Sequence, residues 1–495
     1  MAPRVRGRLR PVSAGVIIVM KMRRTLLGGL LVCLWAPGAL GAQSVELPDP
    51  AGPGYYFVLG RHYESAGEID RAIAAHREAI ARAPGSAELY AELAGVFARQ
   101  DRAAEGIKAA EDALQRDPQN REANRILGTI YAALADQRKP LQPDDNPALY
   151  VSRAIAALER ARQAGQSEMG LDLTLGRLYL QTSDYDKAIP LLERVSADQP
   201  GYPEIALLLA TAQEGAGKTA EAVETLRRAL AGNPRFVRGF VLLAELSEKR
   251  GDWDGAAEAY ARAQGLNARG VDFSSRRAAA LINAGKPGEA RDLLQESVVK
   301  PDAQPMLLYL YAAAQRRLGD LEGAEATARR LRTAAPDDPR GMYVLAQVLE
   351  ARGDYSGAEE SLRQLLTRDP DDATALNYLG YMFAERGDRL EEAVGLVRRA
   401  LEIEPGNPAF LDSLGWAYFQ QGNVDLADAP LTEAAGKMPG NSVIQEHLGD
   451  LRFRQERFAE AAAAWERSLE GDGESIDRER IQKKIRDARF RMESR

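Results

Sequence analysis

Small and large side chains recur along this chain with a period of 34 residues. In the first unit Tyr56, Leu59, Gly60 and Tyr63 are followed by Ala72, His76, Ala79 and Pro84, which fill positions 4, 7, 8, 11, 20, 24, 27 and 32. Leu411, Leu414, Gly415, Tyr418, Ala427, Leu431, Ala434 and Pro439 repeat the pattern near the other end. Twelve units start at residues 53, 87, 121, 169, 203, 237, 271, 305, 339, 373, 408 and 442, with a fourteen-residue insertion in the third and one extra residue in the tenth. Apolar residues three, four and seven apart within each half-unit predict a pair of amphipathic helices, A and B.

Position 8 is Gly or Ala in all twelve units, and position 20 is Ala in all but one, where Gly106 stands. Such residues predict that the two helices cross where positions 8 and 20 meet, because only a missing or one-carbon side chain lets two backbones approach closely. Gly67, Gly217, Gly251, Gly285, Gly319, Gly353, Gly387 and Gly422 fall at position 15, which predicts a left-handed turn between A and B. Prolines at position 32, from Pro84 to Pro439, predict the end of helix B. No unit buries its apolar faces alone, so the units must stack and the ends need covers. Ile481, Ile485, Ala488 and Met492 predict a capping helix over the last helix B, with Arg478, Arg480, Lys483, Lys484, Arg486 and Arg489 left in water.

These motifs resemble the tetratricopeptide-repeat (TPR) superfamily, and Leu376 to Tyr381, Asn407 to Trp416 and His447 to Gly449 resemble a C-terminal block of exported bacterial TPR proteins. The resemblance implies an all-α fold, a right-handed α-α superhelical solenoid of about twelve helical hairpins with a C-terminal capping helix. It also implies a concave groove lined by positions 2, 5, 9 and 12 of helix A. On this chain the C-terminal part of that groove carries Tyr309, Arg316, Tyr343, Gln347, Asn377, Tyr381, Asp412, Trp416, Phe419, Glu446 and Asp450. Aromatics beside hydrogen-bonding groups suit a protein or peptide partner. A second reading stands beside it, in which Tyr381, Trp416 and Phe419 pack between neighbouring A helices. The lysine and asparagine clamp of chaperone-binding TPRs is not expected, since no lysine occupies positions 1 to 12 of any helix A.

The first 42 residues hold seven basic and no acidic side chains, then an apolar run from Leu26 to Trp35 and a small-residue stretch to Ala42. This predicts a secretory signal over about 20–42, with Met20 or Met22 the more usual start, and an exported chain held in the periplasm or at its membrane surface. Membrane attachment is expected only through an uncleaved signal. The expected organisation is therefore leader 1–42, linker 43–52, repeats 53–475 with an insertion at about 136–148, and cap 476–495. Without the seven leader cations, the remaining segment is net −14, which disfavours nucleic acid. The single cysteine, Cys33, lies in the leader, so no disulfide framework or thiolate metal site is expected.

Catalytic chemistry is not expected either. Ala212 to Thr219 fits a relaxed phosphate-loop expression, but it falls across the end of a helix A and the position-15 turn rather than after a strand. His62, His76 and His447 lack metal-ligand spacing, and no cofactor or metal site is foreseen. The expectation is a non-catalytic protein-binding scaffold or adaptor of the bacterial cell envelope. The alternative is a polysaccharide-export or glycan-binding accessory protein.

Overall fold

A computed structural model describes residues 52–137, 140, 146, 148–162, 168–266, 272–471 and 476–493. The expected leader, Cys33, most of the linker and most of the insertion, including Pro143, Asp144, Asp145 and Pro147, lie outside the described residues. Contacts divide the chain into two units, Met1–Arg82 and Ala83–Arg495. Among the described residues there are 25 helices and no strand, and no helix is long and apolar enough to cross a membrane.

The first unit contains one hairpin, α1 (Pro53–Ser65) and α2 (Ile69–Arg82). Its His76 fills position 24 and is fully buried against Gly60. The second unit begins with α3 (Ala87–Arg99), α4 (Ala103–Arg116), α5 (Arg121–Gln137), α6 (Ala148–Ala161), α7 (Met169–Gln181) and α8 (Tyr185–Asp198). There follow α9 (Pro203–Gly215), α10 (Thr219–Gly232), α11 (Val237–Lys249), α12 (Trp253–Leu266), α13 (Ser274–Asn283) and α14 (Pro287–Val298). The next hairpins are α15 (Pro305–Arg317) with α16 (Leu321–Ala334), α17 (Arg340–Ala351) with α18 (Tyr355–Arg368), and α19 (Ala373–Arg386) with α20 (Leu390–Ile403). The unit ends with α21 (Pro408–Gln420), α22 (Val424–Lys437), α23 (Ser442–Arg454), α24 (Phe458–Glu470) and α25 (Arg478–Glu493).

Positions 8 and 20 meet at the crossing as expected, and the side chain of position 24 lies over the same point. A Cβ added at Gly415 would stand 2.5 Å from Leu431, and one at Gly380 would stand 2.6 Å from Val397. Position 8 therefore lies under the side chain of position 24, with position 20 contributing its backbone, as the Ala393 carbonyl 3.0 Å from the same point on Gly380 shows. Position 20 is small because it, too, lies close to a neighbour: a Cβ on Gly106 would meet Ile130 at 2.8 Å.

The A-to-B turns follow the expected geometry, with position-15 glycines at φ between 65° and 79°. Asp101, Ser183 and Glu456 hold the same place in three repeats without glycine and adopt φ of 56°, 60° and 62°. The turn is thus set by the packing of the hairpin rather than by glycine's freedom. The phosphate-loop lookalike dissolves into this pattern, since Gly217 is such a turn at φ 77° between α9 and α10.

Within the second unit each helix packs on the next, and successive A helices also touch one another, as α19 does α21 and α21 does α23. Cationic side chains tie B helices across the repeat boundary. Arg368 donates to the Pro336 carbonyl, and Lys437 to that of Gly406 at 2.8 Å, which places positive charge at the carbonyl ends of the preceding B helices. At the C-terminal end, Ile481, Ile485 and Ala488 of α25 bury against Phe458, Ala461, Ala462 and Trp465. Met492 is 47% exposed and takes no part in that cover.

Candidate functional site

The eleven residues carried onto the A helices divide by what their polar atoms already hold. In α21 and α23 they are spoken for. Asp412 is buried and accepts the Nδ1–H of His447 through both oxygens at 3.0 Å. The His447 ring stacks on Trp416 at 4.0 Å with the planes 11° apart, and Trp416 stacks in turn on Phe419 at 5.1 Å. Trp416 Nε1–H donates to Glu385 at 2.9 Å. Tyr381 lies 6.3 Å from the His447 ring. Burial, with the carboxylates of Glu385 and Asp412 nearby, holds the Tyr381 hydroxyl proton well above the ordinary tyrosine range, so this group stays a neutral donor.

Glu446 and Asp450 answer to the capping helix. Arg480 reaches Glu446 at 2.8 Å, and Lys484 bridges Glu446 at 2.7 Å and Asp450 at 2.6 and 2.8 Å. Trp465 Nε1–H adds a further bond to Asp450 at 3.0 Å. Arg480 and Lys484 are therefore not simply solvated as the sequence pattern suggested. Glu446 is buried, and a buried carboxylate without a partner is costly, so the two cations one helical turn apart on α25 settle there.

The earlier repeats keep unspent capacity. Tyr343 donates to Asp372, and Tyr378 donates to Glu350 at 2.5 Å. Burial pushes the Glu350 carboxyl up, against the pull of the Tyr378 hydroxyl and Arg316. Arg316 Nε and Asn377 Oδ1, a donor and an acceptor, are both buried with no hydrogen-bond partner. Gln347 of α17 and Tyr309 of α15 are half-buried. Arg316 Nε and Asn377 Oδ1 thus have no hydrogen-bond partner among the described residues, whereas the polar atoms of Asp412, Trp416, Glu446 and Asp450 are committed within the chain.

His447, Glu385, Glu350, Tyr378 and Lys484 were absent from the expected set. Each pairs with a residue about one repeat away, so a search for complementary polar residues one period apart would have found them. Sequence models of the tetratricopeptide repeat match residues 57–121, 343–408 and 413–475, residues 151–212 and 179–246, and residues 229–371. The chain belongs to the tetratricopeptide-repeat superfamily. A peroxisomal targeting signal receptor of the yeast Debaryomyces hansenii is 23% identical to this TPR chain over 210 residues, 37% of this chain. The match spans about a third, 34%, of that receptor's length. Yeast Tom70 is similar in structure, with 14% identity, 89% of this chain and 96% of that one covered, and a TM-score of 0.45. A tetratricopeptide repeat protein from Parabacteroides merdae has 15% identity, covers 51% of this chain and 98% of its own, and has a TM-score of 0.41.

Proposed function

We propose that this TPR chain is a non-catalytic protein-binding scaffold of the bacterial cell envelope, and that α15, α17 and α19 hold its partner. One observation carries the reading: a buried donor and a buried acceptor, Arg316 Nε and Asn377 Oδ1, stand without partners on a wall flanked by tyrosines. Such atoms cost free energy until something satisfies them. An extended peptide segment offers both a carbonyl and an N–H. Contacts between successive A helices support placing this wall on the inner side of the second unit's stack. The basic, acid-free leader supports export. The glycan alternative draws less support, because Trp416 already stacks on His447 and Phe419 and its N–H is bonded to Glu385.

A photo-crosslinking side chain placed at Gln347 is expected to capture a defined protein from envelope extracts, and one placed at exposed Glu360 on α18 is not. Arg316→Ala with Asn377→Ala should abolish the Gln347 crosslink without lowering the melting temperature. Equal capture from both positions, or capture unaffected by the double substitution, would remove the site assignment. Fractionation of cells expressing the full chain tests export, and retention in the cytoplasm would end the envelope reading.

A further inference from the structure

A hollow of about 240 Å³ opens at the C-terminal end of the A-helix wall, and rings dominate its lining: Phe419 of α21, Phe453 of α23 and Trp465 of α24. It interrupts a row of aromatics. On one side His447, Trp416 and Phe419 stack in sequence. On the other, Phe453 packs against Phe458 at 5.3 Å and Trp465 at 5.5 Å. The volume lies below the roughly 300–1,000 Å³ of small-molecule sites, and suits a single large side chain.

The charges around the hollow distinguish among such side chains. Asp450 is already bonded to Lys484 and to Trp465, and Asp487 lies 3.4 Å from Arg491. Lys484 is in turn held by Glu446 and Asp450. Arg454 is the exception, exposed on the lining and making no hydrogen bond or ion pair among the described residues. The hollow therefore offers ring faces and one unspent guanidinium, while Asp450 is held by Lys484 and Trp465 and Asp487 has a long contact to Arg491. We propose that it receives an aromatic side chain of the partner protein that is followed in sequence by an acidic residue, the ring continuing the interrupted row and the carboxylate meeting Arg454. This rests on the scaffold reading and extends it to a second contact point, at repeats 11 and 12.

Acetyl-Phe-Glu amide is the probe, added to the full chain and followed by calorimetry and by the fluorescence of Trp416 and Trp465. Millimolar binding is expected, with acetyl-Leu-Glu amide and acetyl-Phe-Gln amide each weaker by about two- to fivefold, the range set by one exposed charge pair or one ring contact. Arg454→Glu, at an exposed position, should leave the melting temperature unchanged and turn the preference towards acetyl-Phe-Lys amide. Phe419→Leu should weaken all three phenylalanine probes alike. No binding to the parent chain, or a charge preference unmoved by Arg454→Glu, overturns the proposal. A partner still captured at Gln347 with full yield when Phe419→Leu and Arg454→Glu are combined would overturn this contact alone, whereas loss of the Gln347 crosslink's dependence on Arg316 and Asn377 would strike the scaffold reading itself.

Discussion

Alanine in place of glycine is expected to have opposite effects at two positions, Gly449 in α23 and Gly395 in α20. A Cβ on Gly449 would stand 2.3 Å from Cδ1 and 2.4 Å from Nε1 of Trp465. That ring is 2% exposed and anchored to Asp450 through its N–H, so it has little room to retreat. Ordinary contact begins at 3.4 Å, which requires a displacement of about 1 Å. Overpacking of this kind costs about 1–3 kcal/mol. Against it stands the gain of about 1 kcal/mol that alanine has over glycine inside a helix. Gly395 is exposed in mid-helix with no atom within 4 Å of the same added carbon, so there only the gain remains. Subtracting one change in stability from the other cancels the propensity contribution and isolates the packing cost, about 1–3 kcal/mol in favour of Gly395→Ala. Urea unfolding followed by tryptophan fluorescence measures both variants, and hydrogen exchange should place the loss in Gly449→Ala at repeats 11 and 12, since stacked repeats lose stability locally. Equal stability of the two variants would refute the account of how A and B cross.

Three further outcomes follow from particular contacts. Glu456→Gly at φ 62° should stabilise the last hairpin by up to about 1.5 kcal/mol, because it removes about 1–2 kcal/mol of left-handed strain and adds about 0.5–1 kcal/mol of backbone entropy cost; a lower melting temperature would contradict this. Burial opposes a charge on His447, but Asp412, with Glu385 and Asp450, outweighs it and holds the imidazole above the ordinary histidine value. The stabilisation from that pair is therefore full below the ordinary range, about pH 6.5, and declines as pH rises through the raised value. The stability difference between the parent chain and His447→Gln should shrink on going to alkaline pH, and a pH-independent difference would count against the pairing. Lys484→Met should cost about 1–3 kcal/mol by leaving Glu446 and Asp450 short of a donor, read as faster amide exchange in α24 and α25; unchanged exchange there would show that the apolar contacts alone hold the cap.

The repeat period made the fold legible because backbone demands recur at fixed offsets. Ten of the expected unit starts coincide with the first residue of a helix A; α17 begins one residue late, at Arg340, because Pro339 caps it, and α13 begins at Ser274. The left-handed turns were equally legible at glycines, and Asp101, Ser183 and Glu456 escaped notice because their residue types carry no such signal. The meeting of positions 8 and 20 was legible, but the cover from position 24 was not, since a helical side chain leans towards the N-terminus of its own helix and thereby reaches back over the crossing. The candidate site was legible as a wall and not as a set of bonds. Whether Trp416 faces a ligand or Glu385 depends on a partner 31 residues away, and whether Asp412 is available depends on His447, 35 residues away.

Those long-range pairs bear on how the chain can change over generations. Tyr378 with Glu350, Trp416 with Glu385, His447 with Asp412, and Lys484 with Asp450 each join one repeat to the next, in an unbroken series from the ninth repeat to the cap. Every link uses a different couple of residues. Duplicating or excising a 34-residue module in this stretch would set a carboxylate against the wrong neighbour at the new seam, so the final four hairpins should be inherited as a block.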